Sequence, residues 1–114
     1  MKRIVILGAG TAGTMMANRL ARTLPEGWQV VVLDRDDRHV YQPGLLFVPF
    51  GAYREGELVR PRAQLVDRRV VFRLADIDRV AAGEKRIVLR GGESIPYDFV
   101  VLATGSRILP ESTP

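Results

Sequence analysis

An apolar run, Ile4-Val5-Ile6-Leu7, passes directly into Gly8-Ala9-Gly10-Thr11-Ala12-Gly13 and then into a helical pattern. Gly8 permits a tight strand-to-helix turn, Gly10 lets the backbone approach a pyrophosphate, and Gly13 lets the helix lie close to the sheet. Phosphates would rest at the helix N-terminus, where unpaired N–H groups and the positive end of the helix dipole favour an anion. The glycine pattern alone is weak, because many tight turns carry glycines. Its context is more specific. A second strand, Gln29 to Leu33, delivers Asp34, 21 positions beyond Gly13, where a carboxylate can accept hydrogen bonds from ribose hydroxyls. Ala17, four residues after Gly13 on the same helical face, is small enough for close helix-to-sheet contact. An ordinary turn is the alternative, and the strand, helix, strand and acid in sequence favour a dinucleotide site over it.

Between the two strands, Met15, Met16, Leu20 and Leu24 recur at near-helical spacing, with Asn18, Arg19, Arg22 and Thr23 as polar positions, and Pro25-Glu26-Gly27 ends the helix. The first 34 residues therefore read as a parallel strand pair with a helical crossover, expected to be right-handed. The runs Ile4 to Leu7 and Val30 to Leu33 are continuously apolar, as in strands covered on both faces. The charged stretch Arg35 to His39 leads into Val40 to Gly51, which fits neither helix nor strand and contains Pro43, Gly44, Pro49 and Gly51. Glu57 to Val66 is expected to form a short helix, with Pro61 in its first turn or breaking it. Val70 to Phe72 reads as a third strand. Leu74 to Ile95 reads as an antiparallel meander, with turns at Ala82-Gly83-Glu84 and Gly91-Gly92. Phe99 to Ala103 is a further apolar strand returning to the parallel sheet and ending in Thr104-Gly105. The expected fold is α/β, a Rossmann-like parallel sheet with a βαβ start and a small antiparallel β-meander inserted before the last strand.

Composition limits the function classes. With 114 residues, 46% of them hydrophobic, and a mean hydropathy near zero, the chain suits one soluble domain with a modest core. There is no cysteine, so disulfide frameworks, cysteine zinc sites and a thiol nucleophile are excluded within these residues. The net charge of +4 comes mostly from arginine scattered along the chain, with lysine only at Lys2 and Lys85. Without a basic run, nucleic-acid binding is a weak third reading. No stretch approaches the ~18 consecutive apolar residues of a membrane span. The N-terminal apolar run is too short for a secretory signal, which gives a cytoplasmic expectation.

Three blocks in order, Ile4 to Gly13, Asp34, and Tyr97-Asp98-Phe99-Val100-Val101-Leu102-Ala103-Thr104-Gly105-Ser106, resemble the N-terminal part of the pyridine nucleotide-disulfide oxidoreductases, flavoproteins with two dinucleotide-binding domains. The resemblance implies FAD as cofactor. It implies backbone contacts to the pyrophosphate from Gly8, Gly10, Thr11, Ala12 and Gly13, and a ribose contact from Asp34. It places Arg35 over the adenine or its ribose, Ile77 at the adenine edge, Pro43 in a loop approaching the flavin ring, and Ala103, Thr104 and Gly105 against the middle of the cofactor. Asp34 argues for a ribose with free hydroxyls rather than a 2′-phosphate, a repulsion that Arg35 and Arg38 soften.

Within that superfamily, Tyr41-Gln42-Pro43-Gly44-Leu45-Leu46-Phe47-Val48-Pro49-Phe50-Gly51 most resembles sulfide:quinone oxidoreductases, and next the type II NADH dehydrogenases. The chain then corresponds to roughly a quarter to a third of a family member. This implies that residues 1–114 are the N-terminal portion of an FAD-binding domain in a larger enzyme whose partners are quinone and either sulfide or NADH. The reactive cysteines, the quinone pocket, the second glycine fingerprint and any peripheral contact with the inner face of the cell membrane would lie outside these residues. No catalytic residue and no metal site is assigned within the chain.

Single residues carry plainer readings. His39 is the only histidine, and among charged neighbours it reads as an exposed loop residue rather than a catalyst. Leu45 to Phe50 reads as core ahead of a quinone-facing or partner surface. Trp28 reads as a packing residue at the sheet edge. A free-standing NAD or adenine-nucleotide module is the alternative of a different class, against which the loop-like ending Pro110 to Pro114 favours a portion of a longer protein. Such a portion is expected to expose a sheet edge or apolar face, and so to homodimerise or to be poorly soluble.

Overall fold

Neighbouring residues of the first strand belong to different cores. In the computed structural model, which describes residues 1–40, 49, 51 and 59–106, strand β1 (Lys2–Leu7) sends Ile4 and Ile6 to one face and Val5 and Leu7 to the other. Strand β2 (Trp28–Asp34) divides in the same way, with Val30 and Val32 on the first face and Val31 and Leu33 on the second. Helix α1 (Thr11–Thr23) covers the first face through Ala17, with Leu20, Ala21 and Leu24 packed around it. The second face is covered by Ile87, Leu89 and Ile95 of the meander. Burial on both sides explains the unbroken apolar runs. Ile6 and Leu33 are fully buried, and burying side chains of that size stabilises by about 1.5–3 kcal/mol each.

The main sheet has four strands in the order β5-β2-β1-β9, all parallel, with β5 spanning Val70–Leu74 and β9 spanning Phe99–Leu102. Strands β3 (Arg38–Val40) and β4 (Val59–Pro61) form an antiparallel pair, and β6 (Ile77–Ala81), β7 (Arg86–Leu89) and β8 (Ser94–Pro96) form the expected antiparallel meander. The chain thus builds β1, β2 and β5 outward in one direction before β9 returns to the other side of β1.

The structure departs from the sequence reading in several places. The helix expected over Glu57 to Val66 is replaced, in its described part, by β4 followed by a single 3-10 turn, Arg62–Gln64. Pro61 lies before that turn at φ −60° and ψ 131°, an extended conformation, and without an N–H it cannot continue a helical ladder. Met15 and Met16 do not form the buried helix face; they are 67% and 41% exposed, and Gly13, Thr14 and Ala17 are buried in their place. Close approach of helix to sheet leaves room only for small side chains, and the buried Thr14 hydroxyl is satisfied by donating to the Ala9 carbonyl at 3.0 Å. Trp28 lies at the beginning of an interior strand, not on an edge strand, and its ring stacks on Phe99 at 5.9 Å. His39 is in β3 with its backbone paired to Arg60, rather than in a loop. Of the Val40 to Gly51 segment, Val40 ends β3, and Tyr41 to Val48 and Phe50 lie outside the described residues.

One polar cluster ties α1 to the loop before β5. The Asn18 side chain donates to the Leu65 carbonyl at 2.9 Å and accepts the Asp67 N–H at 2.7 Å. Arg69 donates from its side chain and its backbone N–H to the Asp67 carboxylate, and these bonds, the side-chain one foremost, hold the carboxyl well below the usual carboxylate range.

Two predictions follow from this packing. A Cβ on Gly8, which sits at φ +104°, would lie 2.2 Å from the Ala103 carbonyl oxygen, and one on Gly13 would lie 1.8 Å from the Gly8 carbonyl oxygen. Urea melts should show Gly8→Ala and Gly13→Ala each losing about 3 kcal/mol or more, whereas Gly10→Ala, facing open space, should lose no more than about 1 kcal/mol. Because the folded pKa of Asp67 is lowered, its contribution to stability is present above the unfolded carboxylate pKa and is lost as pH falls toward the folded value. Acid unfolding should therefore destabilise the unaltered chain more steeply than Asp67→Asn, with the difference confined to pH below the usual carboxylate range.

Candidate cofactor site

The carboxyl ends of β1, β2, β5 and β9 lie along one edge of the sheet, and strand order reverses between β1 and β9, the place where open α/β sheets leave a crevice. The glycine turn after β1 shapes that crevice. Gly8 donates to the Leu33 carbonyl at 2.8 Å, and Ala103 donates to the Leu7 carbonyl at 2.8 Å, which pins the ends of β2, β1 and β9 to one another. The first turn of α1 begins at Gly10, whose carbonyl accepts the Thr14 N–H at 2.9 Å. The N–H groups of Thr11, Ala12 and Gly13 precede that ladder and have no intrahelical acceptor. Gly10 supplies no side-chain cap, and no acidic residue lies in the first turn. The positive end of the helix is therefore not neutralised by its own first turn. A Cβ built on Gly10 would meet no atom within 4 Å, so the backbone there is open to a ligand.

Asp34 ends β2 beside this turn. Its Oδ2 accepts the Ala9 N–H at 2.8 Å, its Oδ1 accepts the Asp36 N–H at 3.1 Å, and its backbone carbonyl accepts the Ala75 N–H at 2.9 Å. Arg62 forms an ion pair with Oδ2 at 2.5 Å and also donates to the Asp36 carbonyl at 3.2 Å. A cleft of about 240 Å³ opens here, with Gly8, Asp34, Arg35, Asp76, Ile77 and Thr104 in its lining. That is below the ~300–1,000 Å³ of a pocket for a whole ligand, and it suits one segment of a long one.

The structure thus brings together Gly8, Asp34, Arg35, Ile77 and Thr104 from four separate stretches of sequence. Thr11 and Ala12 lie exposed at the helix start, while Gly13 is buried beneath the Gly8 carbonyl. Ala103 packs over Gly8 through its own carbonyl, and Gly105 follows at φ +68° with open space around it. Pro43 lies outside the described residues. Sequence reasoning missed Arg62 and Asp76. Asp76 stands one residue before Ile77 and was within reach of a pattern search. Arg62 lies 28 residues from Asp34 across the β3–β4 pair, and no local signal marks it.

The model of the family described as pyridine nucleotide-disulphide oxidoreductase matches residues 2–112. The mitochondrial sulfide:quinone oxidoreductase of Dictyostelium discoideum is 27% identical over 107 residues, covering 93% of this chain and 24% of that protein. The type II NADH:quinone oxidoreductase of Haemophilus influenzae is 30% identical over 121 residues, covering 94% of this chain and 27% of that protein. The solved sulfide:quinone oxidoreductase of Aquifex aeolicus superposes with a TM-score of 0.81 at 18% identity, covering 96% of this chain and 26% of that one, a likeness of fold. The chain spans about a quarter of the length of the curated relatives it matches. With the glycine turn, the acid after β2 and the meander before β9 all in place, the chain belongs to the pyridine nucleotide-disulphide oxidoreductase family.

Proposed function

We propose that this chain is the FAD-binding portion of a flavin-dependent oxidoreductase of the sulfide:quinone type. The observation that carries the reading is the uncapped start of α1 at Gly10, open to a ligand and next to Ala9, whose N–H donates to the Asp34 carboxylate. The donor set fits the cofactor's adenosine diphosphate half. Backbone N–H groups of Thr11 and Ala12 would receive the pyrophosphate, Asp34 the ribose, and Arg35 and Ile77 the adenine, with Thr104 and Gly105 alongside the linker beyond. When bound, the flavin supplies the two-electron redox chemistry, and the protein's part is to hold and orient it. Gly8 and Gly13 act one step back, by keeping the helix start where the phosphates need it.

In the whole protein, electrons from a reduced sulfur donor would leave to a quinone. The 30% identity to a type II NADH:quinone oxidoreductase supports NADH as the alternative donor. No helix among the described residues is long and apolar enough to cross a membrane. We place the protein in the cytoplasm, with peripheral contact to the inner membrane face made by segments beyond this chain. The exposed apolar residues of the outer strands of the main sheet, Phe99 and Leu102 on β9 and Val71 and Leu74 on β5, support self-association when nothing else covers them.

The test is titration of the chain with FAD and with NADH, followed by flavin fluorescence and calorimetry. An FAD response is expected, and tight NADH binding with no FAD response would overturn the flavin assignment. Gly10→Ala, whose fold is retained, should lower FAD affinity by about tenfold or more through its methyl group. Asp34→Asn should lower it by a similar factor, as for the loss of a hydrogen bond to a charged group worth about 1.5–3 kcal/mol.

A further inference from the structure

The acid that meets the ribose is itself held from behind. Oδ2 of Asp34 already accepts the Ala9 N–H at 2.8 Å and the Arg62 guanidinium at 2.5 Å. Oδ1 accepts the Asp36 N–H at 3.1 Å. An ionised carboxylate offers about four acceptor positions, two on each oxygen. Among the described residues, Asp34 therefore keeps one, on Oδ1. We infer that Arg62 is a positioning residue that fixes Asp34 as a one-point acceptor, receiving a single ribose hydroxyl rather than chelating both. The inference rests on the adenine-dinucleotide reading given above.

The geometry around Arg62 supports a fixed rather than an exchangeable partner. Its backbone N–H donates to the Asp37 carbonyl at 2.7 Å, and the next N–H, of Ala63, donates to Asp37 Oδ1 at 2.9 Å. The 3-10 turn is thus bolted to the loop that follows Asp34. The Asp34 and Arg62 side chains are 16% and 18% exposed, so water screens the pair weakly. Arg62 Nε is buried and has no hydrogen-bond partner among the described residues, a state that normally costs free energy. The guanidinium is aimed at Asp34 and the Asp36 carbonyl even though this leaves one of its own donors unmet. An incoming hydroxyl would have to break this pair to reach Oδ2, whereas the open position on Oδ1 requires no displacement.

Adenosine diphosphate and its 2′-deoxy and 3′-deoxy forms, titrated against the chain by heteronuclear NMR, test this directly. One deoxy form should bind about tenfold or more weakly, and the other within about twofold of the parent. In Arg62→Met, which frees one position on Oδ2, both deletions should weaken binding by comparable factors, and Arg62→Lys should restore the one-sided pattern. Equal losses for the two analogues in the unaltered chain would overturn the inference without recourse to any variant. A one-sided pattern that persists in folded Arg62→Met would overturn it as well. Absence of adenosine diphosphate binding, or indifference to Asp34→Asn, would instead remove the dinucleotide reading, and the inference with it.

Discussion

The contact of the Gly8 carbonyl with the Cα of Gly13, under the carbonyl of Ala103, is the constraint from which the rest of the described structure follows. Three backbones meet there with no room for a methyl group. Because α1 must approach β1 this closely, its buried face consists of Gly13, Thr14 and Ala17, and larger apolar residues pack against the core only lower down, at Leu20 and at Leu24 just past the helix end. Because β9 closes over the same turn, its end is fixed to the end of β1 by the Ala103 N–H bond to Leu7. Two demands of one turn thus align the helix start, the central strand and the returning strand. Of the three glycines in this turn, Gly10 is the one the packing does not use, and a Cβ on it would face open space.

The three glycines of the fingerprint therefore do different physical work. Gly8 and Gly13 are steric requirements of the fold, satisfied inside the protein. Gly10 has no internal reason to lack a side chain. An N-cap position ordinarily favours Ser, Thr, Asp or Asn, whose side chain would satisfy a helix N–H, and a glycine there leaves those donors for something else. The same separation holds at Asp34. Its bond to the Ala9 N–H belongs to the turn, its bond to Arg62 ties it to the 3-10 turn after β4, and the residue lines the cleft.

Much of this was legible in the residue order, and the failures have identifiable causes. Strands β1, β2 and β9 and the meander were readable because two-sided burial produces continuous apolar runs and because turns need glycines such as Gly91 and Gly92. Gly8 and Asp34, marked by the glycine pattern and its following acid, line one cleft with Arg35, Ile77 and Thr104, which the family resemblance had indicated. Met15 and Met16 misled because hydrophobicity says what a residue tolerates, while the helix-to-sheet distance decides what fits. The segment around Pro61 misled because helical composition in a short stretch is overridden by one residue that lacks an N–H and lies extended at ψ 131°. Arg62 was invisible because its partner is set by the pairing of β3 with β4, and seventeen basic residues offer no ground for choosing among them.

The Asp34–Arg62 pair also changes the charge logic of the site. Read alone, an acid at the end of β2 repels any phosphate near the ribose. The guanidinium at 2.5 Å offsets the Asp34 charge, and the cleft wall carries one further charge of each sign, Arg35 and Asp76. Discrimination at this position then depends less on repulsion at long range than on which acceptor positions are filled. A partly buried ion pair of this kind is weak evidence for stability, since desolvation offsets much of the attraction. Its contribution lies in geometry. The pair joins the loop after β2 to the 3-10 turn after β4, so the acid's orientation is set by two elements far apart in sequence rather than by one flexible side chain. An acid held this way is fixed in orientation before any ligand arrives, which reduces the ordering cost of binding.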